Sequence, residues 1–192
     1  DNIVISNLYL EKNRHLIGMS LSALARAAGK SPFDALSDLM VEEEGLVSQL
    51  IFGSSGDREH EEWLQVLLQN PWGAISTDAV DVQKGVPHPA AYGTYPRVLG
   101  RYVREMGLLS LSEAVRKMTS LPASRLGLRD RGCLAKGMKA DVVVFDPGTV
   151  RDNATYERPR QTSEGIRHVL VNGRVVVEVG VYEGCLAGRV LR

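Results

Sequence analysis

Between Ser20 and Asp78 the chain reads helix, strand, helix, strand, and this order restricts the fold more than any other feature. Ser20 is placed to cap one helix, and Lys30-Ser31-Pro32 puts a proline in the first turn of a second. That second helix repeats Phe33, Leu36, Leu39 and Met40 at helical spacing, which predicts a buried face. Residues 47–52 form a short apolar run closed by Gly53-Ser54-Ser55-Gly56, read as a buried strand and its turn. A helix over about residues 58–69 carries Trp63, Leu64, Val66, Leu67 and Leu68. After the Asn70-Pro71 breaker, residues 73–77 read as another buried strand. Alternation of this kind predicts α/β units with parallel strands.

In such folds chemistry collects beyond the C-terminal ends of the strands, where loops vary without disturbing the core. Asp78 stands at such an end and opens a loop dense in Pro, Gly, His and Tyr. Two helices are predicted next, over about residues 95–106 and 112–121, with a shorter helical piece through Leu126. From Gly127 onward glycines punctuate β-branched runs. Residues 140–147 read as a strand and turn, and residues 169–177 as a hairpin turning on Asn172-Gly173. The chain therefore divides into an α/β segment, residues 1–126, and a small β unit, residues 127–192.

Lys plus Arg and Asp plus Glu balance at 23 each, so no net field draws the chain to nucleic acid or to an anionic membrane. No apolar run approaches the roughly 20 residues that span a bilayer, and the N-terminus lacks a signal-peptide pattern; a cytoplasmic location is expected. Cys133 and Cys185 are isolated; they allow one disulfide, and two buried free thiols are the favoured reading. Asp1-Asn2-Ile3-Val4-Ile5 has no initiating Met and starts directly on a strand-like alternation, as a cut or processed chain would. Gly53-Ser54-Ser55-Gly56 lacks the Lys and the glycine spacing of a phosphate loop, so a helix cap at Ser55 or Asp57 is the better reading. Arg97, Arg101 and Arg104 recur at helical spacing beside Glu105, which predicts a solvated, ion-paired helix face.

Several of these stretches resemble a known family. They are Asp78 after its apolar run, Pro87-His88-Pro89, the run from Tyr92 through Glu105, Lys117-Met118-Thr119-Ser120-Leu121-Pro122-Ala123, Leu126-Gly127-Leu128, and the run from Gly137 through Asp146. Together they look like the C-terminal part of an N-acyl-D-amino-acid deacylase (D-aminoacylase) of the amidohydrolase superfamily, over roughly residues 18–192. The resemblance implies the last part of a metal-dependent (β/α)₈ barrel, followed by the C-terminal portion of a small β-sandwich. It implies zinc as cofactor and a small N-acyl amino acid as substrate. Asp78 matches the family's proton-shuttling carboxylate, which is also a metal-ligand position. Hydrolysis of an amide needs an activated water and a carboxylate to take its proton, which suits an aspartate there.

His88 is a candidate substrate contact at the site mouth, or a loop anchor through a backbone hydrogen bond. Tyr92 and Tyr95 are candidates for an acyl pocket, or for tying the loop to the core. The family's other metal ligands have no counterpart: His15, His60, His88 and His168 all lie outside such contexts. The family's Ser-Asp-Gly stands here as Thr77-Asp78-Ala79, and the Arg that commonly follows its His-Pro pair is Ala90. Only about two of eight barrel strands are in view. The sequence thus reads as a fragment or as one half of a split enzyme, inactive alone, whose partner is the missing N-terminal part. Its open strand edges favour a homo-oligomer. The alternative is a non-catalytic amidohydrolase-like domain used for assembly or ligand binding.

Overall fold

A computed structural model describes residues 2–53, 61–81 and 83–191. Strand β1 (Ile3–Asn7) leads through a 3-10 turn (Glu11–Leu16) into helices α1 (Leu21–Ala28) and α2 (Pro32–Glu42), then strand β2 (Ser48–Ile51). Ser20 Oγ accepts from Ala23 N and Ser31 Oγ from Asp34 N, so both expected caps form. Ile5, Leu8, Leu24, Ala25, Ala35 and Leu39 bury one another as the core of this unit.

β1 and β2 pair antiparallel, with Val4 opposite Leu50. This corrects the expectation of parallel strands. A helical alternation suggests crossovers, but pairing depends on which strands come side by side. Residues 73–77 correct it further: they are extended, yet no strand pairs with them among the described residues. The helical face drawn through Phe33 and Met40 is also only half right. Leu39 is buried, whereas Phe33 is 78% exposed, because periodicity names a face and burial needs a neighbour.

Helix α3 (Glu61–Gln69) buries Leu68 and leaves Trp63, Val66 and Leu67 exposed. The start expected for this helix, and the cap residues Ser55 and Asp57, lie outside the described residues. Helix α4 (Ala90–Arg97) runs directly into a π-helix (Val98–Glu105). Pro96 cannot donate to the Tyr92 carbonyl, which instead accepts from Ser163 Oγ at 3.4 Å. The wide turns follow this proline. Helices α5 (Leu111–Met118) and α6 (Ser120–Arg125) complete the helical part.

The last third forms a four-stranded antiparallel sheet in sequential order: β3 (Val142–Phe145), β4 (Ile166–Val171), β5 (Arg174–Glu178) and β6 (Val181–Tyr182). Asn172 and Gly173 turn the β4–β5 hairpin with φ of 50° and 80°, as the Asn-Gly pair predicts. A second core joins the π-helix to this sheet through Val98, Leu99, Tyr102 and Val150, with Phe145 and Ile166 packed against it. The approach is close. A Cβ on Gly100 would lie 2.7 Å from the Val150 carbonyl oxygen, and one on Gly93 would lie 3.0 Å from Asp152 Cβ. These two glycines, seven residues apart on one helical seam, let the backbones meet. Cys133 is exposed and Cys185 half-buried, so the thiols are free but not the buried pair expected. Among the described residues no helix is long and apolar enough to cross a membrane.

Candidate active site

The segment carrying Asp78 keeps a strand's alternation without a strand's partners. Gly73, Ile75, Thr77 and Ala79 are half-buried, and Ala74, Ser76, Asp78 and Val80 are exposed. Ile75 packs on the core that the π-helix shares with the sheet, and its N–H donates to the Lys117 carbonyl at 3.0 Å. Asp78 therefore projects from the open face. Its φ is 41°, in the left-handed region, where a residue other than glycine bears strain of about 1–3 kcal/mol. The turn at Asp78 ends the extended run and starts the loop.

That loop is tied down by a second aspartate. Arg160 forks onto Asp81, Nε to Oδ2 at 2.8 Å and Nη2 to Oδ1 at 2.9 Å, and its Nη1 also reaches the Gly85 carbonyl at 2.9 Å. Gln83 N and the Tyr92 hydroxyl both donate to Asp81 at 2.7 Å. The Arg160 hydrogen bonds, opposed by burial and helped by Tyr92, hold the Asp81 carboxyl well below the usual carboxylate range. Tyr92 thus serves as a loop anchor, and its side chain is not in the wall of the cavity described next.

A cavity of about 710 Å³ opens between α3, residues 75–77, the α4 and π-helix pair and the loop at 152–157. Phe52, Ile75, His88, Thr94, Arg97 and Tyr156 are among its walls. Ser76 and Thr77 reach it, while Asp78, next in the chain, does not line it. His88 Nδ1 accepts from Ala90 N at 3.0 Å, which makes the ring neutral with its proton on Nε2. Nε2 then donates to the Tyr156 hydroxyl at 3.3 Å. Desolvation pushes the His88 pKa below its ordinary value, consistent with the neutral ring. His88 is both a loop anchor and part of the cavity wall. Tyr95 is exposed and lines no part of the cavity.

Arg97, at the cavity wall, and Arg101 converge on Glu61. Arg97 Nη2 meets Oε1 at 2.9 Å, Arg101 Nε meets it at 3.0 Å, and the Tyr102 hydroxyl donates to it at 3.2 Å. Arg97 also reaches Asp152 at 3.4 Å. Burial raises the Glu61 pKa, and the Arg101 and Arg97 hydrogen bonds outweigh it, leaving the carboxyl below its ordinary value. The arginine series does form ion pairs, as expected. Arg97 and Arg101 form them with a carboxylate 8% exposed, rather than on the solvated face expected. Nothing in the local spacing linked Glu61 to the arginines or Asp81 to Arg160.

Among the described residues no group of three or more His, Cys, Asp or Glu is placed to hold a metal ion. His15 Nδ1 is bonded to the Lys12 carbonyl, His168 stands in β4, and His60 lies outside the described residues. Asp78 is one carboxylate without companion ligands, so these residues do not by themselves fit a zinc centre.

The amidohydrolase family model matches residues 15–177. The D-aminoacylase of Alcaligenes xylosoxydans xylosoxydans is 39% identical over 184 residues, covering 92% of this chain and 34% of the relative. The N-acyl-D-glutamate deacylase of the same organism is 61% identical over 90 residues, 47% of this chain and 18% of the relative. A solved N-acyl-D-glutamate deacylase from Bordetella bronchiseptica, complexed with zinc and a phosphonate mimic of the tetrahedral intermediate, superposes with a TM-score of 0.78 at 35% identity. That match covers 92% of this chain and 34% of the other. The chain spans at most about a third of the length of these relatives.

Proposed function

The chain belongs to the amidohydrolase family, and from that membership we propose that it is the C-terminal part of an N-acyl-D-amino-acid deacylase in which Asp78 is the proton-transferring carboxylate. Residues 1–126 then supply the last segments of a barrel and residues 127–192 part of a β-sandwich. The exposed face of Ala74, Ser76 and Asp78 is the side turned to the barrel interior.

In the reaction, water adds its oxygen to the amide carbonyl carbon while Asp78 takes its proton. The same proton passes to the leaving nitrogen as the C–N bond breaks, giving a carboxylic acid and a free amino acid, and the acid's remaining proton goes to the released amine. The zinc of the Bordetella bronchiseptica relative is proposed for the whole enzyme, with its further ligands outside this chain. This chain alone is proposed to be inactive. The 61% identity over 90 residues to an N-acyl-D-glutamate deacylase favours an acidic side chain on the amino acid released.

The observation that carries the reading is the position of Asp78, exposed at the left-handed end of the extended segment, in a chain matched over 92% of its length by a deacylase. In the whole enzyme, Asp78→Asn is expected to abolish nearly all turnover on N-acyl-D-glutamate and to leave the fold intact. A variant that works at a near-normal rate refutes the assignment.

Ala79 and Ala90, which depart from the family pattern, favour a second reading as a non-catalytic member of the same family. No turnover on any N-acyl-D-amino acid by the zinc-loaded whole protein would decide for it.

A further inference from the structure

Four consecutive carbonyl oxygens lead into the segment that carries Asp78, and each accepts a hydrogen bond from a basic side chain of α5 or α6. Lys117 Nζ donates to Asn70 O and, at 3.0 Å, to Gly73 O. Arg116 Nη2 donates to Pro71 O at 2.7 Å, and Arg125 Nη2 to Trp72 O at 3.0 Å. Resting on the proposed role of Asp78, we propose that Lys117, with Arg116 and Arg125, is a positioning set that fixes where Asp78 stands.

The residues just past α3 are at the negative end of a helix, where carbonyls lack intrahelical partners and cations bind them well. Ordinary capping accounts for one such contact. It does not account for a lysine that is 0% exposed, because a buried ammonium is costly unless its donors are matched. Lys117 meets that need with the two carbonyls, and Glu113 Oε1 stands 3.9 Å away. Arg116 is itself held by Glu113 at 2.8 Å, so the grip on residues 70–73 is braced from α5.

The same lysine holds the segment a second way, through its own carbonyl, which accepts from Ile75 N at 3.0 Å. Residues 73–80 have no neighbouring strand among the described residues to set their register. Within this chain their position is set by these carbonyl contacts and by Ile75 in the core. From Gly73 to Asp78 is five residues of extended chain, roughly 16 Å. A tilt at the anchor is carried to the carboxylate, and misplacing a reacting group by about 1 Å can cost on the order of 100-fold in rate.

The test is Lys117→Met, which keeps the apolar stem and removes the donors. By amide hydrogen exchange of the 192-residue chain, exchange of the Ile75 N–H, which is bonded to the Lys117 carbonyl, is expected to rise at least about ten-fold while β4 stays protected. In the zinc-loaded whole enzyme, kcat is expected to fall at least about ten-fold with KM within about two-fold. Unchanged exchange of the Ile75 N–H overturns the proposal, as does accelerated exchange there with wild-type kcat.

Should Lys117→Met unfold the chain throughout, Arg125→Gln, which removes a single carbonyl contact, and Arg116→Gln, which removes one carbonyl contact together with the pair to Glu113, carry the test. Each is expected to speed exchange of the Ile75 N–H about three-fold, and no change in either overturns the proposal. Asp78→Asn keeps the two claims apart. If it leaves turnover intact the assigned function fails, whatever the exchange experiment reads at Ile75.

Discussion

Arg160 and Asp81, 79 residues apart, share a two-pronged ion pair that fastens the loop after Asp78 to the strand-poor stretch before β4. The carboxylate also holds Tyr92, so one aspartate ties three parts of the chain. Asp81→Ala is expected to destabilise the chain by about 1–3 kcal/mol in urea unfolding, since it frees a guanidinium and a phenol at once. Tyr92→Phe removes only the hydroxyl and is expected to cost about 1 kcal/mol. A Tyr92→Phe cost equal to that of Asp81→Ala would show that Tyr92, not Arg160, is the main partner.

Glu61 holds Arg97 and Arg101 from a buried position. Glu61→Gln is expected to lower stability by about 2 kcal/mol, at the modest end for a buried pair because both guanidiniums remain about a third exposed. Thermal unfolding of Glu61→Gln beside Arg101→Gln and the double variant checks it. The double variant is expected to lose less than the sum of the singles.

Stability is expected to fall with acid in two stages. His88 has a folded pKa below its ordinary 6.5, so the unfolded chain takes up the proton first. Its contribution is full above 6.5 and is lost as pH falls from there toward the folded value. Glu61 and Asp81 have folded values below their ordinary 4.5 and 3.8. Their contributions are full above those ordinary values and are lost as pH falls further. Midpoints of thermal unfolding against pH would show both stages. His88→Asn, which keeps an acceptor for Ala90 N, is expected to remove only the upper one.

Gly100 sits in a helix, where alanine is ordinarily preferred by about 1 kcal/mol. Gly100→Ala is nonetheless expected to destabilise, by about 2 kcal/mol net, because its methyl would press on the Val150 carbonyl and Arg151 Cα. A stabilised variant, read by urea midpoint, would mean that the loop at residues 150–151 yields to the helix.

Local chemistry made much of the chain legible as sequence. The caps at Ser20 and Ser31, the Asn172-Gly173 turn and the change of character at Gly127 are all short-range effects, fixed within four residues. The run from Tyr92 through Glu105 pointed to the family for a related reason. Gly93, Pro96 and Gly100 each answer a backbone requirement that few other residues meet.

Asp78 is the case that divides the two kinds of information. Its apolar approach and glycine-rich exit marked it in the sequence, and the extended backbone with its alternating exposure agrees. The contacts that hold that stretch within this chain come from residues about 40 positions away, Lys117 among them. The sequence by itself determined the capped helices and the hairpin, because propensity and turn geometry act between neighbours, and it singled out Asp78 as the carboxylate to test. Only the tertiary structure decided the antiparallel β1–β2 pairing, the burial of Glu61 and the carbonyl grip on residues 70–73. Ion pairs and strand partners form between groups brought together in space, and no local periodicity records that distance.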